Sequence, residues 1–250
     1  MGGDNVVILS RPFAIAATEV TQTQWESLMQ SNPSYFRECG GDCPVERVNW
    51  FEAVAFANTL SQREDLTPCF VLENCSGTLG GGCYASDKHA TSCDGDYRCE
   101  AWIDQSSTCT GYRLPTEAEW EFAASDEGAN QGTFRKVSRL ETEAWFARNS
   151  DGATHPVALK APRSRGIYDL LGNVWEWTAD AHSSERKTGL DPRGAHASDS
   201  FVFRGGGWNS RPDQVTINYR AHYRLTSRSH SLGFRVARSE PQPRVPSVPR

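Results

Sequence analysis

The chain has 250 residues, enough to bury a sizeable core. Its 26 basic and 31 acidic side chains leave a net charge of −5, so no positive field exists to gather a nucleic-acid backbone. At 38% hydrophobic and 23% charged it has a globular composition, and no apolar run approaches the roughly 18 residues a membrane-spanning helix needs.

Met1 to Asn5 carry neither a basic segment nor an apolar stretch, and Val6 stands where a myristoylation signal wants Ser or Thr. The expectation is a leader missing from this chain. Strands are expected at 6–9 and 13–16. Three helices announce themselves by one device, an N-cap side chain followed three residues later by Gln or Glu. Thr21 with Gln24 opens the first, through Trp25, Leu28 and Met29, and Asn32-Pro33 stops it. Asn49 with Glu52 opens the second, where Trp50, Val54, Ala57 and Leu60 recur at helical spacing to face a core. Thr116 with Glu119 opens the third, after an extended stretch at 112–115, and points Trp120 and Ala123 inward.

Between the second and third helices the composition changes. All eight cysteines (Cys39, Cys43, Cys69, Cys75, Cys83, Cys93, Cys99 and Cys109) lie in one stretch, and from Cys69 on their neighbours are mostly Gly, Ser, Thr and Asp. Such a segment buries little apolar surface, so cross-links substitute for a core. A zinc site is the competing reading, but no Cys-x-x-Cys pair occurs and His89 is not at finger spacing. Free structural thiols are a third. Eight cysteines allow about 105 pairings, and only Cys39 with Cys43 is close enough to pair by inspection. Disulfides persist in oxidising compartments, so the expected location is secreted or periplasmic. Residues 125–167 show no sustained period and read as loops. Strands follow at 202–204, 217–223 and 233–237, and the Pro-rich segment 240–250 reads as a disordered tail. The expected organisation is one α+β domain over 1–239 with a disulfide-stapled insertion at about 66–110.

Four segments together carry a resemblance. They are Ala17-Thr18-Glu19-Val20-Thr21 before a Gln-x-x-Trp helix; the run from Gly111 to Glu121 (GYRLPTEAEWE); the run from Gly166 to Trp177 (GIYDLLGNVWEW); and Phe203-Arg204-Gly205-Gly206-Gly207-Trp208-Asn209, closing with Gly233-Phe234-Arg235-Val236-Ala237. From about Val6 to Arg238 the chain resembles the formylglycine-generating enzyme family, also called the sulfatase-modifying factor domain, a variant of the C-type lectin fold. The resemblance implies a loop-rich fold of that type.

In the enzymes of this family a cysteine pair near the C-terminus binds copper and oxidises a substrate cysteine. Matched residue by residue, those positions are Ser210 and Val215, and no cysteine follows Cys109. A hydroxyl and an isopropyl group do not replace the thiolates that suit Cu(I), so the copper chemistry is expected to be absent. The family's iron-dependent sulfoxide synthases use histidines. Here His155, His182, His196, His222 and His230 are scattered without ligand spacing. The family's structural calcium site maps onto the Asp169 and Glu176 side chains and the Gly172 and Val174 carbonyls, hard oxygen donors that suit Ca2+. The alternative is that the two carboxylates merely cap the turn. A second calcium site would fall near Asn149 to Asp151, where the segment is shortened.

With catalysis removed, the region that binds peptide in the enzymes becomes a candidate ligand surface: Trp208, Asn209, Ser210 and Arg211 in the turn, and Arg220, His222 and Arg224 on an alternating strand. Arg forks there suit an acidic ligand or a peptide. Arg204 and Arg235 read as structural, and Trp175 and Trp177 as core. The reading is a non-catalytic module for ligand or protein recognition outside the cytoplasm. Its rivals are a formylglycine-generating oxidase or other metal-dependent oxidoreductase acting on protein cysteine, and a likeness to the variable ligand-binding proteins of diversity-generating retroelements.

Overall fold

In the computed structural model, which describes residues 6–80, 95–106, 108–125, 137–163, 165–194 and 198–240, each capping box starts a helix. Helix α1 spans Gln22–Met29, α2 Trp50–Arg63 and α3 Glu117–Ala124. Thr21, Asn49 and Thr116 each accept from the N–H three residues on, and Gln24, Glu52 and Glu119 accept in return from the cap's own N–H. Helix α1 closes ahead of its proline because Gln30 turns left-handed, at φ +56°. A short helix α4, Val137–Glu143, stands in the stretch where loops are expected to dominate.

Among the described residues the strands are β1 Val7–Ile8, β2 Phe13–Ile15, β3 Phe70–Glu73, β4 Ala101–Asp104, β5 Tyr112–Arg113, β6 Trp175–Ala181, β7 Gly189–Leu190, β8 Ser200–Arg204, β9 Ala221–Arg224, β10 Leu232–Gly233 and β11 Ala237–Ser239. The main sheet has the order β10-β6-β8-β9, with β10 parallel to β6 and the other pairs antiparallel. A second sheet, β2-β11-β5, brings the two ends of the described chain together. Two expected strands move. The segment 217–223 pairs only from Ala221, and 233–237 divides between β10 and β11.

Trp25, Trp50 and Trp177 are fully buried in the main core. Trp25 stacks on Phe56 at 5.6 Å, while the indole N–H of Trp50 donates to Thr178 O and that of Trp177 to Val48 O, both at 3.0 Å. These two bonds pin α2 and the residues leading into it to β6. Trp120, Leu140, Phe146, Leu170 and Val215 form a second cluster under α3 and α4.

The cysteines pair Cys39 with Cys43, Cys69 with Cys109 and Cys75 with Cys99. Cys83 and Cys93 lie outside the described residues, as does the tail from 241 on. The described part of the insertion is also clamped by ions. Buried Arg228 donates to Asp96 Oδ1 at 2.6 Å, Glu52 Oε1 at 2.7 Å and Arg47 O at 2.8 Å, and Asn49 Nδ2 donates to Tyr97 O.

Candidate functional site

Two adjoining turns at the main sheet carry most of the expected calcium and ligand-binding residues, with Glu176, Arg220, His222 and Arg224 on or beside the strands. The first, Asp169 to Val174, feeds β6. Gly172 stands at φ +85°, and a Cβ there would lie 2.3 Å from Trp145 O, so only glycine fits. Buried Asn173 then joins the layers: its N–H donates to Trp145 O, its side chain donates to Glu19 Oε2 and His155 O, and its own carbonyl accepts from Trp208 N–H at 2.7 Å. Glu176 is fully buried and accepts from Trp120 Nε1 at 2.8 Å and from Arg235 Nε and Nη2, both at 2.7 Å. Arg235 therefore is structural, as its sequence context indicates.

The four expected calcium ligands share this turn, and they differ in what they already hold. Glu176 faces a guanidinium. Asp169 accepts Ala158 N–H on Oδ2 at 2.7 Å, while its buried Oδ1 has no partner among the described residues. Glu19 completes the cluster, accepting Val174 N–H at 3.1 Å. Burial first, then the neighbouring charges of Asp169 and Glu176, hold the Glu19 carboxyl well above the usual carboxylate range, and burial raises Asp169 as well. Three buried carboxylates thus meet one arginine. The residues fit a cation in charge and in the open Asp169 oxygen. Among the described residues, though, no group of three or more His, Cys, Asp or Glu side chains is arranged to hold a metal, so carbonyls would have to complete the shell.

The second turn leaves β8 through Gly205-Gly206-Gly207. Ser210 is buried, and its Oγ accepts Gly207 N–H at 2.9 Å, closing the turn on itself. Val215 packs in the second core cluster against Gly206. This donor set does not fit Cu(I). Expected as a ligand contact, Ser210 is instead a turn closer, because a hydroxyl one turn away from a glycine N–H finds its partner locally.

The other expected contacts separate. Trp208 donates from its indole to His230 O at 2.9 Å and meets Phe36 edge-on at 5.2 Å, which makes it part of an aromatic cluster with Tyr35 and His230. Asn209 is exposed. Arg211 is exposed and forms a fork on Asp213, with bonds of 3.0 and 2.7 Å. Arg220 turns away, donating to Glu117 at 2.5 and 2.9 Å and to Ser183 O at 3.1 Å. Burial alone would raise the Glu117 carboxyl, but the hydrogen bonds and charges of Arg220 and Arg204 carry it below its ordinary value. Arg224 lies 3.7 Å from Asp199 with both side chains exposed. No arginine of the set stands as an unengaged fork, so the surface is less basic than its sequence suggests.

Aromatic rings fill that place; the sequence reading takes Trp175 as core and does not weigh Tyr219, Phe203 or Tyr223 as contacts. Tyr219, Trp175, Phe203 and Tyr223 form a ladder of successive ring contacts at 5.8, 5.2 and 4.8 Å, with both tyrosines exposed at its ends. Gln214 links Tyr219 to the Arg211 turn, donating to its hydroxyl at 3.4 Å and accepting Arg211 N–H. His222, next along β9, alternates to the other face. There it stacks on His182 at 3.7 Å and meets Ser200 Oγ at 2.8 Å through Nδ1. Burial, then the charges of His222 and Arg220, lower the His182 pKa. The alternating residues at 218–225 were the available signal for this strand, but the edge position of β9 leaves both faces open.

A family model described as the sulfatase-modifying factor enzyme 1-like domain matches residues 4–240. Over 258 aligned residues the chain is 31% identical to the chaperone protein LppX of Paenibacillus barcinonensis, covering 95% of this chain and 83% of that one. It is 35% identical over 166 residues to the inactive C-alpha-formylglycine-generating enzyme 2 of Mus musculus, covering 58% of this chain and 49% of the relative, so it spans about half that protein's length. Among solved structures, the Treponema denticola variable protein 1 has a TM-score of 0.72 and 32% identity, covering 94% of this chain and 86% of that one.

Proposed function

The chain belongs to the sulfatase-modifying factor enzyme 1-like domain family, and from that premise we propose that it is a non-catalytic recognition module holding a peptide or protein partner. The observation that carries this is the state of the two expected thiol positions. Ser210 closes its own turn and Val215 is core, while the adjoining surface exposes Tyr219 and Tyr223 at the ends of a braced aromatic ladder. Aromatic side chains fixed by packing below them contribute large contact area at low entropic cost. The fold is C-type-lectin-like, a scaffold on which surface loops change ligand without disturbing the core. One relative is named a chaperone protein and another an inactive enzyme, and both names support binding without oxidation.

The three disulfides support an oxidising compartment, and the module acts there as a secreted or periplasmic protein. A structural Ca2+ belongs to the same reading. Asp169, through its open oxygen, and the Gly172 and Val174 carbonyls would hold it, while Glu176, expected as a fourth ligand, is already taken by Arg235 and Trp120 and would add only its charge nearby.

Two measurements test the function. Incubated with copper, oxygen and a cysteine-containing peptide, the protein is expected to leave the peptide mass unchanged; conversion of the thiol to an aldehyde overturns the reading. Panning of a randomised seven-residue phage library against the immobilised protein is expected to enrich peptides whose affinity falls about tenfold in the double variant Tyr219→Ser, Tyr223→Ser, at an unchanged melting temperature. Peptides that bind that variant as tightly as the parent place recognition elsewhere.

A further inference from the structure

A cleft of about 880 Å3 opens between the N-terminal segment, α3 and the connection from β6 to β7. Val6, Val7 and Leu9 line one side, and Phe13 and Phe122 another. Ten large apolar side chains are exposed among the described residues, and three of them, Val6, Val7 and Phe122, line this cleft. Single exposed apolar residues need no explanation, but several around one cleft mark an interaction site. Five basic and four acidic side chains share the lining, so the cleft selects against no charge and suits a polypeptide of mixed composition.

The backbone adds a direction. Strands β1 and β7 form a parallel pair of two residues each, belonging to no larger sheet among the described residues, with all four residues exposed. Such a pair is marginal alone. Gly189 N–H donates to Val6 O at 2.7 Å and Asp191 N–H to Ile8 O at 2.8 Å. In a parallel ladder alternate residues bond to the same neighbour, so Val6 and Ile8 face β7 and the N–H and C=O of Val7 face the opposite edge. No strand pairs with that edge among the described residues.

We infer that β1 is a docking edge, where an extended segment of a partner protein adds beside Val7 as a third strand and seats alternate apolar side chains against Val7, Leu9, Phe13 and Phe122. Main-chain bonds to Val7 fix its register, and the pockets between the apolar walls select its side chains. This surface is distinct from the Tyr219 and Tyr223 face and stands whether or not that face binds.

The substitution Val7→Pro tests it, because proline deletes the outward N–H without removing a group from the β1–β7 ladder. Phe122→Ser is the second variant and opens the apolar wall without touching the strand. Peptides from the seven-residue phage library are titrated by fluorescence polarisation against the parent, both variants and the double tyrosine variant. The expected result is a class of peptides with apolar residues at every second position, weakened about tenfold by Val7→Pro and by Phe122→Ser and indifferent to the tyrosines. The inference is overturned if no such class is enriched, or if it binds both variants as it binds the parent. Dependence of every enriched peptide on the tyrosines alone also overturns the docking edge, and leaves the recognition face standing.

Discussion

Glu176 and Glu46 are both carboxylates with no exposed surface, yet the fold treats them in opposite ways. Glu176 meets the planar fork of Arg235 and the indole of Trp120, so its charge is met by another charge. Glu46, under the turn that carries Tyr35 and Phe36, receives only backbone N–H groups, and its Oε2 has no partner among the described residues. Burial dominates there and raises its pKa to about 8, against the smaller lowering effect of those N–H groups and of Arg47 and Arg37. A carboxylate is kept inside either by a cation or by a proton. The difference teaches that the two sites respond to different disturbances, one to loss of its partner and the other to pH. Asp169 lies between them, with one oxygen bonded and one open.

The largest effect is expected from removing the cation. Arg235→Met leaves Glu176 beside two other buried carboxylates and is expected to cost about 3–5 kcal/mol in urea unfolding at neutral pH. A change under about 1 kcal/mol would show that Arg235 is not what holds the turn. Next is the open site. If Asp169 takes Ca2+, an excess of about a hundredfold over its dissociation constant adds about 2.7 kcal/mol, and a strong chelator removes it. Melting temperatures identical with Ca2+ and with chelator would discard the ion.

The last effect, a slope with pH rather than a fixed difference, is at Glu46. Its folded pKa lies above the unfolded value, so its stabilising contribution is complete below about 4.5 and is lost as pH rises toward about 8. Across that window stability falls as pH rises. Glu46→Gln is expected to flatten that part of the slope, making the variant relatively more stable at alkaline pH than at acid pH. Parallel stability curves for parent and variant would mean that Glu46 titrates normally.

The three capped helices were legible because capping boxes are local: each needs only four residues to be recognised, and nothing distant contradicts them. The central strand β6 was not, since almost every residue from Trp175 to Ala181 is buried and the alternation that marks a strand is lost. Cysteine clustering indicated disulfides, and the short Cys39 to Cys43 spacing indicated one pair, but the two longer loops follow from the β3–β4 pairing, which no spacing reveals. The family motifs located both turns of the candidate site. What they could not show is where charged side chains go. Arg220 is paired with Glu117, 103 positions away, and His182 meets His222 only because β8 lies between β6 and β9. Long side chains choose partners by tertiary position, and a pattern that labels a strand face as basic does not reveal whether each charge is already engaged.

The nested bonds Cys69–Cys109 and Cys75–Cys99 make the insertion a closed ring within a closed ring. A protease that cuts once between Cys75 and Cys99 therefore severs the polypeptide without separating it: the two pieces stay covalently joined and part only on reduction. With Arg228 clamping Asp96 to α2, a nicked molecule would keep its main sheet, and damage to the insertion would remain a local event.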